Sequence, residues 1–258
     1  MEQYSYENAV YQANRHTLVH QYTTLAALDK IISNKSLRLT RIDLLNDTVE
    51  NACMLELWQK KVFVSCFTHR ESESYFFWKT YAKGDSTGVR LSLDARLLCQ
   101  LPIHPDAMCE KEQLSICKET IPESSFVDVI SSEMWGIYDV SLIDVMYISR
   151  NQNLENIEHH QGRFKYIEWD SEEETRFRVA IRPKCLEFKT KGREIQYLTP
   201  SDEYVYVKLS DACLENLIIT LSPFASDDLR EKVEELLRKN NLIDKIQIHT
   251  SVLTGESR

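Results

Sequence analysis

Only six glycines occur in the 258 residues, and that scarcity narrows what the chain can become more than any motif does. Glycine adopts left-handed backbone without steric cost, so a fold built on many tight glycine turns is disfavoured. Loops that cradle phosphates with glycine N–H groups are missing too: there is no Walker-type segment and no G-x-G-x-x-G. A G-x-S-x-G nucleophile elbow is likewise absent, which disfavours an α/β-hydrolase. Nucleotide binding, if the chain performs it, must come from a fold that does not use glycine loops.

The chain is 43% hydrophobic and 28% charged, which suffices to bury a core. A formal net charge of −9 repels polyanions, which argues against extended binding to DNA or to an anionic membrane. The basic stretch RPKCLEFKTKGR (182–193) reads as a solvated loop. Seven cysteines without a C-x-x-C pair suggest no disulfide framework. The first residues lack the basic start and apolar stretch of a leader, and no apolar run approaches the length of a membrane span. The expected setting is a reducing cytoplasm. His16 and His20 are spaced for a helical zinc pair, but HTLVH lacks the glutamate of H-E-x-x-H and the residues around His20 read as strand. No metal site is expected, and the pair at 159–160 reads as solvated.

Periodicity gives an α+β order. TLVHQYT (17–23), SLRLTR, VFVSCFT (62–68), TGVRLSLD (87–94), LIDVMYIS (142–149), EYVYVKL (203–209), IITL and the stretch around IQIHT read as strands. Leu25, Leu28, Ile31 and Ile32 have helical spacing, with Asn34 ending the helix. ESESYFFWKTYAKG (71–84) also reads as helix, closed near Gly84. Leu229, Val233, Leu236 and Leu237 form the inner face of a late helix capped by Asp227 or Asp228. NLENIEHHQGRFKY is a polar helix or long loop. Regular βαβ alternation is missing, so a mixed sheet with flanking helices is expected over a single domain, 1–258, with 95–140 as an irregular insertion.

The segment WDSEEETRFRVAI (169–181) carries the most chemistry. Glu172, Glu174, Arg176 and Arg178 fall on one parity, and Thr175, Phe177, Val179 and Ile181 on the other. As a strand it has one apolar and one charged face, and the charged face is either wet or lines a cleft. Two carboxylates two residues apart on a strand would lie about 6–7 Å from one another. Elsewhere, His20 and Tyr22 share a strand face. Trp78 and Tyr81 are three apart and can share a helix face with Ser74. NDTVE (46–50) reads as a capping box.

In this order, His20-Gln21-Tyr22, Asn46-Asp47-Thr48-Val49-Glu50, Ser65-Cys66-Phe67-Thr68, Phe77-Trp78-Lys79-Thr80-Tyr81-Ala82, Gly88-Val89, Lys165 and Trp169 through Arg176 resemble the bacterial family known as domain of unknown function 2971. Thr48 and Phe77 depart from its usual proline and methionine. The resemblance covers roughly residues 18–255. The set also looks like an ADP-ribosyltransferase, a split mixed sheet that binds NAD without a glycine-rich loop.

That resemblance implies roles. Glu174 would stabilise the ribosyl cation through the 2′-hydroxyl, and Glu172 would orient or deprotonate the acceptor. His20, on one strand face with Tyr22, would hydrogen-bond a ribose hydroxyl. Ser65 would support the catalytic strand, and Trp78 or Tyr81 would stack on nicotinamide or line its pocket. Arg176 would partner the carboxylates or a phosphate. NAD is then the co-substrate, without a metal. The acceptor is a protein or a single-stranded nucleic-acid base, or water in an NAD glycohydrolase. Toxins and anti-phage defence effectors, some with a neutralising partner, are the expected setting. Two other readings stay open: a non-catalytic nucleotide-sensing or interaction domain, and a nuclease binding Mg²⁺ through Asp47, Glu50, Glu172 and Glu174.

Overall fold

Runs of β-branched and aromatic residues form strands close to where alternation puts them. The computed structural model describes residues 16–45, 59–95, 126–127, 135–150, 162–183, 188–191, 194–197, 200 and 202–255. Strand β1 is Leu18–Thr24, helix α1 Leu25–Asn34, β2 Ser36–Arg41, β3 Val62–Thr68, helix α2 Tyr75–Thr80 and β4 Gly88–Asp94. Then come β5 (Phe126–Val127), β6 (Trp135–Asp144), β7 (Met146–Ile148), β8 (Phe164–Tyr166) and β9 (Glu174–Pro183). The chain continues through β10 (Phe188–Lys191), β11 (Glu194–Tyr197), β12 (Tyr204–Lys208), helix α3 (Asp211–Glu215), β13 (Ile218–Leu221), helix α4 (Leu229–Lys239) and β14 (Gln247–Thr250). The architecture is α+β with mixed pairing. Among the described residues no helix is long and apolar enough to cross a membrane.

The described residues group into two compact units. The first takes those of 38–66 and 99–207, the second those of 16–37, 67–98 and 208–258. Each unit gathers residues from separated stretches of chain, so no single linker divides them.

In the first unit the strands run β6–β9–β3–β2–β12–β5. The longest pairing is antiparallel, β6 against β9, with a bulge between Ile137 and Asp139. Strand β9 is buried on both faces: Thr175, Phe177, Val179 and Ile181 on one, Glu174, Arg176, Arg178 and Ala180 on the other. The charged parity of the sequence is therefore closed off from water. Ile42, Val62, Val64 and Ala180 pack together beside it. The predicted strand 142–149 is broken at Val145, because the chain changes partners there. The Val145 N–H donates to the Glu174 carbonyl and the Met146 N–H to that of Arg163. Strand β7 then pairs in parallel with β8, where Tyr147 stands opposite Lys165. The end of the predicted polar helix or loop is thus strand; its 153–161 part lies outside the described residues, as do most of the predicted insertion and residues 46–58. Within the basic stretch, Phe188–Lys191 form β10, which pairs antiparallel with β11, where a loop was expected.

In the second unit the order is β14–β13–β4–β1, with Thr68 at the end of β3 paired to His20. Strands β13 and β14 run parallel, while β4 is antiparallel to both β13 and β1. Leu28 and Ile32 of α1, and Leu229, Val233, Leu236 and Leu237 of α4, are buried. Helix α1 stops because Lys35 is left-handed, its N–H turned to the carbonyls of Ile31 and Ile32. Asp228 stands at the start of α4 but does not cap it; its carboxylate is held by Lys232 at 2.6 Å and Ser226 at 2.5 Å. Helix α2 is shorter than predicted. Ser74 caps its start by accepting from the Phe77 N–H, and left-handed Lys83 and Gly84 follow its end.

Candidate functional site

In the first unit the charged parity becomes a built cluster. A 3-10 turn, Ile167–Glu172, precedes β9, and Glu173 between them is left-handed, its N–H bonded to the Asp170 carbonyl. That turn overturns the reading of Glu172 and Glu174 as neighbours on one strand face: Glu172 ends the turn and Glu174 begins the strand. Instead of standing at strand spacing, the two carboxylates converge on one ammonium. Lys165 Nζ donates to Glu172 Oε2 at 2.5 Å and to Glu174 Oε2 at 3.1 Å. Lys165 also lies over the Trp169 ring, 4.7 Å from its centroid.

Arg176 grips Glu174 from the other side. Its Nε donates to Oε1 at 2.7 Å and Nη2 to Oε2 at 3.1 Å, while Nη1 donates to the Gly162 carbonyl at 2.9 Å. Gly162 has φ +77°, and a Cβ there would meet Ile42 Cδ1 at 3.0 Å, so this approach needs glycine. The Tyr147 hydroxyl accepts the Glu174 N–H at 2.8 Å, and the Cys66 thiol donates to its carboxylate. Glu174 is 4% exposed and Arg176 0%. Burial alone would raise the Glu174 pKa. Arg176 and Lys165 outweigh it and hold the carboxyl at about 2. Ser65 on β3 is buried in the same unit.

Burial pushes the Tyr147 phenol pKa upward, so it stays protonated as the acceptor of that N–H. Tyr147→Phe leaves the buried amide without its partner and should cost about 1–3 kcal/mol, read from the urea midpoint of the first unit. A loss below a few tenths would mean that the amide finds another acceptor.

The other predicted residues stand in the second unit. His20 Nδ1 meets Ser92 Oγ at 2.7 Å. Burial, then the positive charge of Arg90, lowers its pKa to about 4, so the ring is neutral. The strand conformation of 18–24 removes the helical convergence that a His16/His20 zinc pair needs; His16 stacks on His69 with centroids 4.1 Å apart. The Tyr22 hydroxyl accepts the Ser74 N–H at 3.1 Å, and its ring meets Phe77 and Trp78 edge-on.

Trp78 is 0% exposed, with Nε1 donating to Glu73 at 3.0 Å. It leaves no ring face for a ligand, which corrects its expected stacking role and makes it core. Tyr81, which follows α2, is 41% exposed and meets the Phe77 ring edge-on with centroids 5.6 Å apart, so it does not share the buried side of Trp78.

Lys165 stood in the quoted sequence pattern without a role, and Tyr147 and Gly162 left no signal, because only register and a tight backbone approach bring them to Glu174. For the metal alternative, Asp47 and Glu50 lie outside the described residues, while Glu172 and Glu174 already face two cations. No family model matches the chain, and no curated protein and no solved structure matches it.

Proposed function

We propose that the chain is an NAD-consuming enzyme of the ADP-ribosyltransferase class. The bond from ribose C1′ to the nicotinamide nitrogen breaks, nicotinamide leaves with the bonding pair, and C1′ joins a nucleophile that gives up its proton. The acceptor is a protein side chain or an unpaired nucleic-acid base, with water as the glycohydrolase variant. A toxin or defence effector with a neutralising partner is the setting that the resemblance suggests.

One observation carries this reading. Glu174 is a carboxylate kept ionised and oriented by a two-point Arg176 contact in surroundings closed to water. A fixed negative charge of that kind stabilises a developing oxocarbenium ion without reorganising solvent. Glu172 supplies a second carboxylate for the acceptor. Lys165 ties the two together, and its transfer to a phosphate of the dinucleotide would loosen Glu172 while Arg176 keeps Glu174 oriented. The complete burial of Glu174 favours a second reading, a non-catalytic binding domain in which the cluster is structural.

The test incubates the protein with NAD labelled on the adenylate, with and without cell lysate, beside Glu174→Gln. Nicotinamide release that falls to background in a folded Glu174→Gln protein supports catalysis, and labelled protein or nucleic acid names the acceptor class. The transferase reading is abandoned if wild-type protein releases no nicotinamide and neither NAD nor ADP-ribose raises its melting temperature.

A further inference from the structure

The second unit holds a cation and a neutral imidazole that its own groups leave incomplete. In the antiparallel β1–β4 pair, His20 opposes Ser92 and Tyr22 opposes Arg90. His20 and Arg90 are therefore diagonal neighbours, with backbones about 7–8 Å apart. His20 is 4% exposed, and its Nε2 has no hydrogen-bond partner among the described residues. Arg90 Nε is likewise buried and without a partner. The rest of the guanidinium is engaged: Nη1 donates to the Glu71 carbonyl at 3.4 Å, and the group is hydrogen-bonded to the Tyr22 hydroxyl, 5.9 Å from that ring's centroid, so Nε alone is left over. No described carboxylate pairs with it, in a chain whose net charge is −9.

Buried polar atoms without partners are rare in folded proteins, and each one calls for a group that completes it. Arginine offers donors only, so what completes Nε must be an acceptor, and its permanent charge selects an anionic one. The 2.7 Å contact between Nδ1 and Ser92 Oγ is compatible with the hydroxyl donating, and in that tautomer the neutral imidazole carries its proton on Nε2 and is a second donor. Two donors on diagonal positions suit a group that presents several oxygens at once.

We propose that the His20–Arg90 face of the second unit binds a phosphoryl group, one oxygen accepting from Arg90 Nε–H and another from His20 Nε2–H. The site needs no residue of the Glu172–Glu174 cluster and stands whether or not the chain cleaves NAD. Free phosphate and the phosphate of a sugar or nucleotide offer the same oxygens.

The measurement is an NMR titration of protein carrying ¹⁵N in histidine and arginine, following His20 Nε2 and Arg90 Nε. Inorganic phosphate, ribose 5-phosphate and ADP are added in turn at constant ionic strength, with acetate and chloride as controls. Phosphoryl compounds should shift both resonances saturably, and Arg90→Gln should weaken binding at least about tenfold, since a hydrogen bond to a charged group is lost. Arg90→Lys keeps the charge without the Nε–H and should fall between. Arg230→Gln, an exposed control on α4, should bind as wild type. Tighter binding of ribose 5-phosphate or ADP than of phosphate identifies an organic phosphate as the ligand, and equal binding identifies free phosphate. The site is overturned if acetate or chloride reproduces the shifts, if no phosphoryl compound moves them, or if Arg90→Gln binds as tightly as wild type. If Arg90→Gln does not fold, His20→Asn and Arg90→Lys decide by the same criteria.

Discussion

Arg176→Met should destabilise the first unit by about 3–5 kcal/mol, the usual cost of removing one partner from a buried ion pair. Glu174 would keep its burial and lose the two-point contact that now makes its charge tolerable. Lys165 cannot make up the difference, because the same ammonium already serves Glu172. Burial would then dominate and the Glu174 pKa would rise. The Gly162 carbonyl would lose its donor as well. Adding Glu174→Gln to the methionine variant removes the stranded charge and should recover part of the loss, a coupling that a double-mutant cycle reads directly. Native-state hydrogen exchange tells the two units apart. Amides of β6 and β9 should lose protection while those of β1 and β4 keep theirs. A loss below about 1 kcal/mol would mean the pair is wet and screened like a surface bridge. The same cycle bears on function, since release of nicotinamide lost in Glu174→Gln counts as catalytic only where that variant keeps its fold.

What the sequence revealed depends on how local each feature is. Strands β2 and β3 begin and end where alternation and β-branching predict, and the buried face of α4 is the one its helical spacing marks. These features need only neighbouring residues. The start of β9 was not legible in the same way. Parity extends the strand back to Glu172, whereas the chain turns at Glu173, a left-handed residue that no glycine announces. The burial of the charged face was equally hidden. It depends on Lys165 arriving from β8, on Gly162 allowing a close approach, and on β7 leaving β6 at Val145, all set by strand pairing. Trp78 and Tyr81 show the complementary error. Their spacing of three suits a shared helix face, but α2 ends at Thr80 and the two rings part, one into the core and one toward solvent. The two units interleave along the chain, so no shift in composition could mark their borders.

Lowering the pH should weaken the second unit first, through His20. Its pKa falls from 6.5 to about 4 on folding, because burial and Arg90 oppose a charged ring. Above pH 6.5 the imidazole is neutral in both states and contributes no pH dependence. Between 6.5 and 4 the unfolded chain takes up the proton and the folded one does not, so stability falls as pH falls. The full loss is about 3 kcal/mol, reached near pH 4. Glu174 follows in the first unit and lower on the scale. With its carboxyl held at about 2 against an ordinary 4.5, its stabilising effect is lost as pH drops from 4.5 toward 2. His20→Asn keeps a polar group facing Ser92 and removes the titration. The difference between wild-type and variant stability, measured by urea unfolding at several pH values, should therefore change by about 3 kcal/mol between pH 7 and 4. Hydrogen exchange should assign that change to β1 and β4. Parallel curves for the two proteins would mean that His20 titrates as it does in water, which a ring 4% exposed beside the Arg90 charge should not do.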